Sequence, residues 1–352
     1  MSDKRIDILA SRWHYLDHLA PVWRALPEDI RGGVLVESPR LLAHPVAAEA
    51  KRRQTVKADR ISRVLVASGT DMLTARRQHW GIALMEHGAG QTYSSGKPSS
   101  SYAGGPARQG VGLFLCTNQA VAQANALYGP RTVVVGCPRL RDLEAVRAEH
   151  RASERPTLAL TWHWACRIAP PWSGWAWPEF VNALVALRLA WPGPVIGHAH
   201  PRAWKAVETA YRQASIEPVQ RWEDVIARAD VLSFDNTSAG FEAAALGIPV
   251  VLCESSAWKR DTEHGLRFWR WADIGPTVRA DTYPEAIARN WVDASLSVLH
   301  PSGPWKDQRE AMAAETYPHR EDSTERAVSA LLRWVGSPRD DSRVSLRSRP
   351  PD

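Results

Sequence analysis

The strongest constraint on the fold is a repeated alternation of short apolar runs with segments of helical patterning. Runs fall at 6–10, 33–37, 63–68 (RVLVAS), 82–86, 111–116 and 132–136, with an amphipathic stretch at 15–26 after the first. Apolar residues at every position, rather than at alternate ones, mark strands covered on both faces. Helices between successive strands of this kind imply parallel pairing. A polar, charged segment at 140–156 interrupts the pattern, which then restarts. Strands are expected at 157–161, 194–197, near 219, at 231–234 and up to 254, with helices at 180–189, about 203–214, 222–229 and after 238. From 254 to about 334 the chain reads as helical.

The expected fold is therefore α/β: two Rossmann-like domains, 1–145 and 146–336, with parallel sheets facing across a cleft lined by loops at the strand C-terminal ends. A chain of 352 residues is long enough for two cores. The last helix is expected to pack back across the first domain. Segment 94–105 reads as a flexible loop, and 337–352, almost without apolar residues, as a disordered tail.

Composition fits a soluble globular chain, 44% hydrophobic and 23% charged. No apolar run approaches the roughly 20 residues of a membrane span, and the charged N-terminus lacks a signal-peptide core. The expected location is cytoplasmic. Cys116, Cys137, Cys166 and Cys253 are scattered without a CxxC pair and read as buried thiols. The net charge of +6 is spread along the chain. It suits nucleic acid, an anionic membrane surface or phosphorylated substrates, and selects none of them.

Four places carry chemistry. In 229–254 (ADVLSFDNTSAGFEAAALGIPVVLCE), Asp235, Asn236, Thr237 and Ser238 form a polar turn between a buried strand and a small-residue helix. Free N–H groups at such a helix start bind anions. Capping accounts for Asp or Thr, but four polar residues exceed what a cap needs. Glu242, on an Ala-rich helix, needs a partner when buried, and a sugar or ribose hydroxyl pair is one.

The second place is Glu86-His87-Gly88-Ala89-Gly90-Gln91, where His87 stands at a strand end as a general base or as a turn-capping histidine. His198-Ala199-His200-Pro201 reads as a phosphate contact or as a solvent-facing helix start. Finally, the loop TWHWACRIAPPWSGWAWPEF places Trp164 and Arg167 where stacking and phosphate contact are possible, or forms a hydrophobic lid. Gly136-Cys137-Pro138-Arg139 reads as a hinge near the cleft or as a plain loop. A metal reading of His163, Cys166, His198 and His200 matches no standard spacing.

These motifs, in this order, resemble the GT-B superfamily of nucleotide-diphosphate-dependent transferases, nearest to its CDP-glycerol glycerophosphotransferase branch. The segment from Asp235 to Glu242 is similar to that branch's D-x-S-S-x-x-x-E, with the E-x-x-x-x-G-x-P ending of GT-B donor domains. Glu86-His87-Gly88 is similar to its His-Gly, Gly136-Cys137-Pro138-Arg139 with Asp142 to its crossover, and His200-Pro201 to its His-Pro. The residues after Gly88 depart from the family's pattern.

The resemblance implies an acceptor domain before the crossover and a nucleotide-donor domain after it. It also implies His87 as base, Thr237 and Ser238 on the donor diphosphate, Glu242 on ribose or sugar, and His200 on a phosphate. The function expected is metal-independent transfer of a sugar from a nucleotide-diphosphate sugar to an acceptor hydroxyl on a glycan, protein or nucleic acid. The nucleotide-linked donor is a co-substrate, and no other cofactor is expected. The alternatives are a CDP-glycerol-type polyol-phosphate transferase, a nucleotide-sugar 2-epimerase and a non-enzymatic nucleic-acid-binding protein.

Overall fold

The computed structural model describes residues 4–55, 62–89, 108–129, 131–165, 175–256, 269–300 and 303–336. The expectations for Gly90, Gln91, Cys166, Arg167, the loop 94–105 and the tail 337–352 lie outside these residues.

Thirteen strands are described, all parallel to their neighbours. The first sheet holds β1 (Ile6–Ala10), β2 (Arg31–Val36), β3 (Arg53–Thr55), β4 (Arg63–Val66), β5 (Gly81–Met85), β6 (Leu113–Cys116) and β7 (Thr132–Val134). The second holds β8 (Leu158–Trp162), β9 (Val195–Ala199), β10 (Glu217–Pro218), β11 (Val231–Phe234), β12 (Val250–Glu254) and β13 (Thr277–Arg279). Their orders are β3-β2-β1-β4-β5-β6-β7 and β10-β9-β8-β11-β12-β13. Each sheet winds outward one way from its first strand and then the other way. That puts a topological switch between β1 and β4, and another between β8 and β11. Loops at the C-terminal ends of such strand pairs diverge and leave a crevice for ligands.

Both faces of the first sheet are covered. Ile8, Ala10, Val34 and Val36 join one buried cluster, whereas Leu9, Leu35, Val64 and Val66 join the other. Continuous apolar strands follow directly from this, since alternate residues face opposite cores.

The chain separates into two compact units. One is Leu140–Tyr317, and the other takes the remaining described residues, including those from Pro318 onward. The boundary thus falls before the expected 145, and residues 318–336 leave the second domain to which the sequence assigned them. The physical reason is an apolar stripe on the helix Ser323–Gly336. Ala327, Ala330, Leu331 and Val335 are buried in the same cluster as Leu16, Leu19 and Trp23 of the helix Trp13–Ala25. Gly136, at φ +83°, is required where the chain leaves β7, because a Cβ there would sit 2.2 Å from the Pro318 carbonyl oxygen.

Two strands depart from expectation. β3 and β13 are three-residue edge strands, and β13 interrupts the stretch read as wholly helical.

Candidate functional site

In the first unit, β5 ends at Met85, and the two residues that follow have opposite fates. The Glu86 carboxylate is buried and paired with Arg108, which also reaches the Asn125 amide oxygen, while Asn125 Nδ2 donates to Glu86 at 3.2 Å. Burial first, and then the Glu86 charge, push the nearby Cys116 thiol up to about 12. This network anchors the strand end. Thr117 adds hydroxyl bonds to the carbonyls of Glu86 (3.4 Å) and Gly88 (3.3 Å), and Gly88 turns the chain at φ +60°.

His87 is thereby aimed at the switch between β1 and β4. Its Nδ1 lies 2.7 Å from the carbonyl oxygen of Ala67, just after β4. A carbonyl only accepts, so Nδ1 carries the proton and Nε2 is the basic nitrogen of the neutral ring. Three rings from the helix after β1 surround it: His14 (5.6 Å between centroids), Tyr15 (4.9 Å) and His18 (5.3 Å). Arg139 is buried beside this group, with Nη1 3.4 Å from His18 Nε2 and Nη2 3.8 Å from Asp17. Nearby, Asp71 is fully buried, and burial raises its pKa to about 7.

In the second unit the switch between β8 and β11 is tied by Asp235. Its Oδ1 accepts from the His163 N–H at 2.7 Å and its Oδ2 from the Ala176 N–H at 3.3 Å. Burial raises its pKa to about 8, against the lowering by those N–H groups. Asp235 therefore does not cap the next helix. Thr237 does, with its hydroxyl accepting from the Ala239 N–H at 3.4 Å at the start of the helix Ser238–Ala245. Gly240 lets that helix approach β11: a Cβ there would lie 2.1 Å from the Phe234 ring.

The loops after β8 and β9 form one cluster. His163 and His200 have ring centroids 5.7 Å apart, Trp164 and His200 are 5.8 Å apart, and the Arg202 guanidinium lies over the Trp164 ring at 4.2 Å. His200 Nδ1 accepts from the Arg202 N–H at 3.1 Å, so its proton is on Nε2. His163 Nδ1 lies 3.0 Å from the Trp164 carbonyl and so carries a proton. Deeper in the unit, His198 Nδ1 lies 2.7 Å from the Thr161 hydroxyl, and its ring faces Trp222 at 5.2 Å. The Trp222 indole N–H donates to Glu242 at 3.1 Å.

The sequence matches no protein-family model and no curated protein. Solved structures do match. The wall teichoic acid polymerase TagF with CDPG aligns with a TM-score of 0.63 at 11% identity, over 95% of this chain and 89% of that one. The Neisseria meningitidis UDP-GlcNAc 2-epimerase bound to UDP-GlcNAc aligns at 0.58 and 11%, over 94% and 100%. The S. aureus MnaA–UDP structure aligns at 0.60 and 13%, over 94% and 96%.

The fold is of the GT-B type.

On this GT-B fold the expected residues divide. Thr237 and Ser238 follow β11, Trp164 and His200 meet in the loops after β8 and β9, and His87 and Arg139 lie near the β1/β4 switch. Asp235 and Asn236 are buried, and the carboxylate of Asp235 faces inward. Buried Glu242 accepts one hydrogen bond from the Trp222 indole. His198 faces Thr161 and Trp222 rather than the His200 cluster. Of the Trp-rich segment, Trp162 and Trp177 are core, 5.6 Å apart. His14, Asp17, His18 and Arg202 went unread. A His14–His18 pair spaced i, i+4 directly after a strand was the available signal, as was Arg202 two residues beyond His200. Among the described residues no helix is long and apolar enough to cross a membrane.

Proposed function

We propose that this chain is an enzyme that transfers a sugar from a nucleotide-diphosphate sugar to an acceptor hydroxyl. The observation that supports the reading is a chain of contacts among potential anion donors at the strand ends of the second unit. The N–H groups at the start of the helix Ser238–Ala245, His200 Nε2–H and the Arg202 guanidinium are linked through Asp235 and His163. In this reading they hold the diphosphate and stabilise the charge that grows on it as the sugar leaves, without calling on a metal. His87 Nε2 removes the acceptor proton. Solved GT-B neighbours carrying UDP-GlcNAc, UDP and CDPG support a nucleotide-linked substrate.

A second reading, nucleotide-sugar 2-epimerisation, draws on the same donor cluster. The proximity of His14, Tyr15 and His18 to His87 favours it, since several proton-transfer groups meet there.

A donor panel tests both. UDP- or GDP-sugars are expected to raise the Tm, with free nucleotide released only when an acceptor is added. His87→Ala is expected to slow turnover by about 10²–10⁴-fold and leave nucleotide binding nearly intact. A new sugar formed without acceptor selects the epimerase, and stabilisation by CDP-glycerol alone selects polyol-phosphate transfer. No response to any nucleotide, together with salt-sensitive DNA binding, overturns the enzyme reading.

A further inference from the structure

Beside His87 the first unit has built a second imidazole into its core. His18 is 5% exposed, and its Nε2 faces Arg139 Nη1 at 3.4 Å. A guanidinium only donates, so Nε2 accepts and the His18 proton sits on Nδ1. Desolvation, followed by the Arg139 charge, holds His18 well below the ordinary histidine pKa. Asp17 is shared: one oxygen lies 3.8 Å from Arg139, and the other accepts from His44 Nε2–H at 2.8 Å. The His44 tautomer is fixed because its Nδ1 accepts from the Val46 N–H.

We infer that His18 and Arg139 are positioning residues for His87, holding its ring with Nε2 presented and disfavouring its imidazolium form. The inference rests on the reading of His87 as a base. His14, Tyr15 and His18 face its ring from the first helix, and the Ala67 carbonyl faces it from the end of β4. Thr117 holds the backbone on either side, and Arg139 stands behind His18. Of the nearby carboxylates, Glu86 is engaged by Arg108 and Asp17 by His44 and Arg139, while burial raises the Asp71 pKa to about 7. A proton added to His87 therefore meets imidazoles and, beyond His18, a buried guanidinium, in a part-buried setting where charges are less screened than in water.

Histidine Cε1–H NMR titration of the full chain tests this, with the His87 signal assigned by its loss in His87→Gln. Arg139→Gln is expected to raise the His87 midpoint by about half a pH unit, and Arg139→Lys to restore it. Asp17→Asn leaves Arg139 less compensated and is expected to lower the midpoint. The opposite signs separate an electrostatic role from general loosening, and Asp17→Asn decides the matter if Arg139→Gln does not fold. A midpoint unmoved by Asp17→Asn, or moved upward, overturns the inference. The titration needs no substrate. A shifted midpoint with full turnover in His87→Gln would sink the base and leave the pairing, whereas an unshifted midpoint with turnover lost would do the reverse.

Discussion

The two units share a scaffold, and the acids at Glu86, Asp235 and Glu242 are held beneath it in different ways, although Glu254 of the second unit is, like Glu86, paired with an arginine, Arg279. In the first, Glu86 is buried against a cation, Arg108. In the second, Asp235 is held by two backbone N–H groups, and Glu242 is bonded by an indole N–H. A buried ion pair fixes geometry but makes each partner costly without the other. N–H donors satisfy a carboxyl group without placing a full positive charge beside it. The first solution suits a strand end that must aim one histidine. The second keeps a full positive charge away from the acids under the loops that carry His200 and Arg202.

The largest test of this contrast is Arg108→Met, which leaves Glu86 buried without its cation. Urea unfolding is expected to show a loss of about 3–5 kcal/mol. A loss below about 1 kcal/mol would mean that Asn125 alone satisfies Glu86. The matching change in the second unit, Trp222→Phe, removes one N–H donor from Glu242 and is expected to cost less, about 1–3 kcal/mol. Equal costs would erase the distinction between the two units.

The contrast extends to pH. Asp235 has a folded pKa of about 8 against an ordinary 3.8, so the native state keeps a proton that the unfolded chain releases. Its contribution to stability is present below 3.8 and is lost as pH rises through about 8, at up to about 1.4 kcal/mol per pH unit. His18 runs the other way. Its folded pKa is depressed from 6.5, so its contribution is present above 6.5 and is lost on acidification. Asp71, raised to about 7, opposes His18 within the first unit. Hydrogen exchange resolved by segment should show protection of β8 and β11 falling from pH 5 to 8, and a flatter profile in Asp235→Asn. An unchanged slope in that variant would remove Asp235 as the cause.

The sheets were legible because their central strands are mostly apolar on both faces. Two of the four edge strands were not: Arg53–Thr55 and Thr277–Arg279 are short and only partly buried, so no hydrophobic run marks them. His87 was legible from its place after a strand. His14 and His18 were hidden because they lie on the same helix as the core residues Leu16 and Leu19. Glu242 was readable as an acid out of place, but its donor lies twenty residues away in sequence, a distance that local pattern cannot bridge. Asp235 looked like a cap or a ligand group. It is not the cap, and its carboxylate accepts instead from the two N–H groups that the loop after β8 and the chain at Ala176 present.

The smallest expected effect separates a cap that serves the fold from one that serves a ligand. Ser68, fully buried, caps the helix Gly69–Arg77 by accepting from the Asp71 N–H at 3.1 Å. Thr237 caps its helix through a longer contact of 3.4 Å and keeps 7% of its surface exposed. Ser68→Ala is expected to lower stability by about 1 kcal/mol and leave UDP affinity unchanged. Thr237→Val should cost only a few tenths of that in stability, because a long hydrogen bond contributes little, yet weaken UDP binding several-fold if its hydroxyl turns toward the diphosphate. Calorimetric titration with UDP, paired with thermal melts, reads both quantities. If Thr237→Val loses stability and keeps its affinity, Thr237 is a cap like Ser68, and the anion site rests on backbone N–H groups, His200 and Arg202 alone.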